Sequence, residues 1–425
     1  MNNLRNIVLD FDGTLADTTP LIVATMQATI KELGLKPITD EECRATIGLR
    51  LEDVPPLKWP GDLRAAELFA PTYRRIFEVL KRPISVVCFP GVIETLAELN
   101  RSGYRMAIAS SRNRHSLCEY VEQFDIADYF SMLVGGDDVS EGKPSPVPVL
   151  KILDACGWEA AETITVGDAP VDVLMGRAAA TLTCAVTYGN GTEAELRQAE
   201  PTYMISEFAA LIPAVSGVTP EVLNYVEKEI IPRYDGFDKA HRRDHVRMVI
   251  NQSMRIASHM PGLDMDMVYC IAAFHDTGLV NGRERHHVDS AEILRADRFV
   301  REHFSSAQID TMADAVEDHR ASGKSEPRTD YGRVVADSDR FIDAETIIRR
   351  TVQYGLANYP ELDLDGHLQR TIEHLENKYG RSGYLRIWLP WSDNVARLER
   401  LRDIIDDRGS LAAIFRRIYN EELLD

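Results

Sequence analysis

The chain has 425 residues, 44% of them hydrophobic and 27% charged, the balance of a soluble globular protein with room for two domains or more. Its formal net charge of −19 argues against a nucleic-acid backbone or an anionic membrane as the main partner, because both want a basic surface. No run approaches the roughly 18 apolar residues needed to span a bilayer, and six scattered cysteines without a Cys-x-x-Cys pair exclude a disulfide framework or a thiolate zinc site and fit a reducing compartment.

Met1 leads almost directly into Ile7-Val8-Leu9-Asp10 with no cleavable apolar segment, so an unexported, cytoplasmic protein is expected. Short apolar runs at Ile7–Leu9, Arg105–Ala109, Thr163–Val166 and Leu182–Val186 read as strands. Helical periodicity lies between them, as at Val92–Leu99 and Val147–Leu153, and this alternation predicts βαβ units and a parallel sheet. Between Thr18 and about Leu80 the pattern is helical only, with breaks at Lys36-Pro37 and Trp59-Pro60-Gly61, which predicts a helical insertion. Pro213, Gly217 and Pro220 punctuate a linker over 213–220, between a first domain at 1–212 and a second at 221–425. From Glu221 onward the segments read as helix, among them Val246–Ser258, Met267–Phe274, Ala307–Asp318 and Val395–Ile405.

The first half carries four chemical motifs. Ile7-Val8-Leu9-Asp10-Phe11-Asp12-Gly13-Thr14-Leu15 is an apolar strand ending in a carboxylate, with a second carboxylate two residues on and a glycine that lets the backbone turn. Met106–Ala109 ends in Ser110-Ser111, Gly142-Lys143-Pro144 supplies a cation in a turn, and Thr163–Val166 ends in Gly167-Asp168-Ala169-Pro170-Val171-Asp172. In a doubly wound sheet, groups at the carboxyl ends of strands converge on the ligand. A carboxylate can attack phosphorus to give an acyl phosphate. An oxygen-ligated divalent cation offsets its repulsion by the phosphate, lysine and serine stabilise the transferring oxygens, and a second Asp serves as general acid and base.

With these motifs in this order, residues 5–212 resemble the haloacid dehalogenase-like superfamily, in particular its phosphoglycolate phosphatase and β-phosphoglucomutase branch. The resemblance implies a Rossmann-like α/β fold with a small helical cap at about 15–85. It makes Asp10 the nucleophile, Asp12 the general acid/base and Ser110 a phosphate ligand, with Ser111 competing for that role. It also implies that Lys143 steadies Asp10 and the phosphoryl group, that Asp168 ligates Mg²⁺ beside Asp10 and the Asp12 carbonyl, and that Asp172 supports the cation. Arg50 sits where family caps reach the substrate, a position equally open to a solvated loop residue.

The second half concentrates histidine. His275-Asp276 ends the apolar run Ile271-Ala272-Ala273-Phe274, and such a pair on an apolar face needs partners, which a metal ion supplies. His241 and His245 share a helical face, but Arg242 follows His241 where a zinc-protease motif requires Glu. The order His245, His275-Asp276, Asp339 resembles the HD superfamily over about 221–345, which implies that all four ligate metal in an all-α domain. Its final motif, Ala336-Asp337-Ser338-Asp339-Arg340-Phe341, departs from the family's Ala-Asp-Arg pattern and leaves Asp337 as a competitor to Asp339. His287 and His319 are candidates for a second metal or are structural histidines, and His241 is a substrate contact or a helix-face residue. Mn, Fe, Ni, Zn or Mg all suit such ligands. A bifunctional phosphohydrolase acting on a small phosphorylated metabolite or nucleotide is expected; the alternatives are a phosphatase or phosphomutase regulated by a non-catalytic HD module.

Overall fold

The computed structural model describes residues 4–238, 241–320, 325–340 and 342–423. Phe341, the last residue of the Ala336–Phe341 motif, lies outside them. The chain divides into two compact units, Met1–Lys228 and Glu229–Asp425.

The strands of the first unit are β1 (Asn6–Leu9), β2 (Ala16–Asp17), β3 (Val87–Cys88), β4 (Arg105–Ala109), β5 (Phe130–Val134), β6 (Thr163–Gly167), β7 (Leu182–Val186) and β8 (Tyr203–Ile205). Six of them form a sheet in the order β5-β4-β1-β6-β7-β8, with parallel pairing throughout. Ile7, Val8 and Leu9 of β1 are fully buried, as an internal parallel strand covered on both faces requires. Leu9 pairs with Ile108 on one side and Val166 on the other, so β1, β4 and β6 end level and deliver Asp10, Ser110 and Asp168 to one edge. Two strands beyond the four expected, β5 and β8, complete the sheet.

The helical insertion after β1 is present. Its principal helices are Thr19–Leu33 and Leu63–Leu80, and the short antiparallel pair β2–β3 closes its base through Ala16↔Cys88 and Asp17↔Val87. On Leu63–Leu80, Phe69, Tyr73 and Phe77 recur every four residues and form one buried aromatic row. The stretch 213–220 is not a bare connection: Leu211–Val215 is helical with every residue buried, and the division between units falls later, after Lys228.

The second unit is helical. Met265–Phe274 is buried on all sides from Met267 to Phe274, a central helix that other helices enclose. Arg243–Ala257, Ser306–Asp318 and Asp330–Asp339 pack against it. Ile348, Leu375, Leu401 and Phe415 anchor a separate apolar core among the last four helices, Ala344–Asn358, Leu364–Tyr379, Asp393–Asp406 and Arg408–Glu422. Among the described residues no helix is long and apolar enough to cross a membrane.

Candidate functional site

Asp10 leaves β1 with its N–H donated to the Val166 carbonyl at 2.8 Å. The chain then turns through Gly13, whose φ of +86° favours glycine and where a Cβ would meet Asp168 Oδ2 at 2.2 Å. That absence of a side chain lets the loop close over Asp168. Asp168 in turn accepts hydrogen bonds from Thr14 Oγ1 (3.0 Å) and from the Asn190 N–H and Nδ2 (2.7 and 2.9 Å). Lys143 is buried with Nζ at 2.6 Å from both Asp10 Oδ1 and Asp172 Oδ1. Asp10, Asp168 and Asp172 each turn an oxygen toward the others, all within 4.8 Å.

Burial pushes the Asp10 carboxyl well above the usual carboxylate range; Lys143 opposes this, while Asp172, Asp168 and Asp12 add repulsion. Burial and Asp172 likewise push Asp168 to about 6 against the hydrogen bonds from Asn190 and Thr14. Three crowded carboxylates held by one ammonium fit a hard divalent cation such as Mg²⁺, whose charge offsets the repulsion that raises Asp10 and Asp168.

Asp12 does not join that group. Its carboxylate is gripped by Arg112, with Nε at 3.2 Å from both oxygens and Nη2 at 2.5 Å from Oδ1. Arg112 was not among the expected site residues. Its guanidinium lies over the rings of Phe11, Phe77 and Tyr120, and Arg112 and Asp12 both line a cavity of about 640 Å³ beneath the insertion. Ser110 is buried at the end of β4 and its Oγ accepts the Arg112 N–H at 3.1 Å. Ser111 lines the cavity and donates to the Gly48 carbonyl of the insertion at 2.5 Å, so the two serines divide between sheet edge and cap. Arg50 also lines the cavity and is fixed by Asp53 (2.9 Å) and the Ser140 carbonyl (3.1 Å).

In the second unit, helix ends supply the ligand-type residues. His275 and Asp276 follow Met265–Phe274, His319 follows Ser306–Asp318, Asp339 ends Asp330–Asp339, and His286 begins His286–Ala296. His275, His286 and His319 each donate Nδ1–H to a backbone carbonyl three residues earlier, at 2.8, 2.9 and 2.6 Å. This fixes the tautomer and leaves each Nε2 lone pair free for a ligand. His245, His275 and Asp339 form one group and Asp276, His286 and His319 another. Asp276 joins them: Oδ2 lies 3.5 Å from His245 Nε2 and 3.2 Å from His275 Nε2, and Oδ1 lies 3.5 Å from both His286 and His319 Nε2. His245 Nε2 is also 3.3 Å from Asp339 Oδ1 and 3.2 Å from His275 Nε2. Inward-facing imidazole lone pairs around one carboxylate fit divalent transition ions.

The structure places three further candidates, and the expectation changes only for His287. Asp337 faces away from the group, its Oδ1 accepting from Ser392 Oγ (2.6 Å) and Asn394 Nδ2 (2.8 Å). The second group contains His286 in place of His287, because consecutive helical residues point about 100° apart and only the first faces Asp276. His241 is outside both groups: its Nδ1 pairs with Asp238 Oδ1 at 2.9 Å and its ring packs edge-on against His245.

Residues 7–186 match the sequence profile of haloacid dehalogenase-like hydrolases, and residues 242–343 match that of the HD domain. Similar proteins include "Probable phosphatase IndB" of Dickeya dadantii, 34% identical over 49% of this chain and 92% of the relative. A phosphoglycolate phosphatase of Neisseria meningitidis is 29% identical over 48% of this chain and 88% of its own length. A haloacid dehalogenase-like hydrolase structure from Streptococcus pneumoniae is 24% identical with a TM-score of 0.44, covering 49% of this chain and 96% of its own. The chain belongs to the haloacid dehalogenase-like hydrolases and carries an HD domain in its second half. It is a phosphatase, and both matched regions belong to metal-dependent families.

Proposed function

We propose that the chain is a bifunctional phosphohydrolase, a phosphomonoesterase in the first unit and a hydrolase of a second phosphorylated substrate in the HD unit. The observation that carries this reading is the buried Asp10–Lys143–Asp172 chain at 2.6 Å contacts, beside an independent His/Asp cluster centred on Asp276.

In the first unit Asp10 attacks phosphorus; the new O–P bond forms as the ester P–O bond breaks, and Asp12 gives its proton to the departing alkoxide. Asp12 then takes a proton from water as the water oxygen attacks the aspartyl phosphate. The Asp10 O–P bond breaks, and phosphate leaves. Lys143 orients Asp10 and favours its ionised form, Ser110 receives a phosphoryl oxygen, and the cavity beneath the insertion receives the rest of a small phosphorylated molecule. Asp10, Asp168 and Asp172 would hold Mg²⁺; His245, His275 and Asp339 would hold one transition ion, and Asp276, His286 and His319 a second. When bound, such ions supply Lewis acidity toward phosphoryl oxygens and lower the pKa of water. Six unpaired cysteines support a reducing compartment such as the cytoplasm.

The test assays Asp10→Asn and His275→Ala in the full chain against a panel of phosphorylated metabolites, with Mg²⁺ and Mn²⁺. Two separate losses of activity on different substrates are expected, with a beryllium fluoride adduct on Asp10. One variant abolishing all turnover while the other is silent contradicts the bifunctional reading and leaves the HD unit a regulator.

A further inference from the structure

A second cavity, of about 570 Å³, opens beside the His/Asp cluster, with His245 and Asp339 in its wall. The wall also carries Arg283, paired with Asp238 at 2.7 Å, and four further cations, Arg340, Arg350, Arg370 and Lys378, among neutral side chains such as Ile347, Thr351 and Leu385. Asp339 is, among the described residues, the only carboxylate in this lining, and His245 already engages it. Among the described residues, none of these four cations forms an ion pair, although Asp339 and Asp337 act on Arg340 through space. Arg340 is buried, 6% exposed, and among the described residues its Nε and Nη1 have no hydrogen-bond partner. An arginine desolvated to that degree needs an anion or strong acceptors to offset the loss of water. Arg370 is held in place by the Thr351 carbonyl and by the rings of Tyr354 and Tyr359, so its charge is positioned in advance. In a protein of net charge −19, four unneutralised cations around one cavity are not a general property of the surface.

We propose that this cavity is the second-phosphate subsite of the HD unit, whose substrate is therefore a bis- or polyphosphorylated small molecule. The proposal rests on the reading of the His/Asp cluster as a hydrolytic metal centre. One phosphoryl group lies at the cluster, where His245 and Asp339 border both spaces, and a second lies among Arg340, Arg350, Arg370 and Lys378. Arg350, Arg370 and Lys378 stand on helices Ala344–Asn358 and Leu364–Tyr379, outside residues 242–343 of the HD domain, so the specificity comes from this chain's own additional helices.

The test uses the full chain loaded with Mn²⁺ and dialysed free of excess ion, so that the cluster is occupied and the probe is not sequestered by free metal. Inorganic pyrophosphate and orthophosphate are titrated calorimetrically into wild type, Arg350→Gln and Lys378→Gln. These positions are less buried than Arg340, and thermal melts check that each variant is folded. Pyrophosphate should bind at least about tenfold more tightly than orthophosphate, and each substitution should weaken pyrophosphate about tenfold, the loss of one charge-assisted contact. Equal affinity for the two anions, or pyrophosphate binding unchanged in both variants, overturns the proposal. A parallel Mn²⁺ titration of His275→Ala separates the underlying reading. If that variant keeps wild-type Mn²⁺ affinity, the hydrolytic centre fails, and a pyrophosphate site that survives alone is not a substrate subsite.

Discussion

Arg112 holds Asp12 by a two-sided grip, Nε at 3.2 Å from both carboxylate oxygens and Nη2 at 2.5 Å from one, with only 7% of its own side chain exposed. The grip spans two parts of the first unit. Arg112 follows β4 and Asp12 follows β1, while Phe77, one of the rings under the guanidinium, comes from the helical insertion. Asp12 is thereby kept at the cavity wall, where it adds less repulsion at Asp10 than Asp172 or Asp168 does.

Arg112 is predicted to act as a positioning residue for the proposed acid/base. Arg112→Ala should lower kcat for the first-unit reaction about 10- to 100-fold, the range for losing a charged hydrogen-bond partner. It should also shift the pH–rate profile, a readout that a purely structural contact would not move. Arg112→Lys keeps the charge but not the fork, and should recover only part of the rate. Wild-type kcat and an unmoved profile in Arg112→Ala would contradict this role.

The crowding of the first metal site gives a pH dependence with a definite sign. Asp168 is raised to about 6, above its unfolded value, so the folded metal-free protein holds this proton more tightly than the unfolded chain does. That contribution to stability is present at low pH and is lost as pH rises through about 6. Mg²⁺ binds the ionised form, so the thermal shift it produces should be near zero at about pH 4.5 and grow as pH rises through about 6. Differential scanning fluorimetry with and without Mg²⁺ checks this. Asp168→Asn should reduce the pH-dependent part to that left by Asp10; a shift independent of pH in the wild type would count against the site.

The parts of the fold and site visible in the sequence are those in which a local pattern meets chemistry. β1, β4, β6 and β7 are internal strands, buried on both faces, and three of them end in a functional residue. β5 and β8 lie at the sheet edges, and β5, Phe-Ser-Met-Leu-Val, is only partly buried, so its apolar signal is weak. Arg112 escaped notice because its partner is 100 residues away and nothing near it in sequence records the pair. Asp337 and Asp339 are two residues apart on one helix and point about 200° apart, yet their competition is decided by Ser392 and Asn394, more than 50 residues on.

The second unit should lose one ion when His286 is removed and none when His287 is. His286 Nε2 faces Asp276 Oδ1 at 3.5 Å, whereas His287 belongs to neither ligand group. Metal content by plasma mass spectrometry should fall from two ions per HD unit to one in His286→Ala and stay at two in His287→Ala. The reverse result, or two ions in both variants, would assign the second group differently.

Metal binding in the second unit should release a proton. Burial pushes the His245 imidazole down, but hydrogen bonds and charge from Asp276 and Asp339 outweigh it and hold it up at about 9 in the metal-free protein. An ion coordinated by Nε2 must displace that proton, so Mn²⁺ affinity should rise about tenfold per pH unit below about pH 9. Calorimetry in buffers of different ionisation enthalpy should find about one proton released per first ion near pH 7.5. The same carboxylates also favour the cation, so Asp339→Asn should weaken Mn²⁺ binding and reduce the proton released, because His245 then loses its proton at lower pH. A wild-type affinity that is flat between pH 6.5 and 8.5 would mean that His245 is not a ligand.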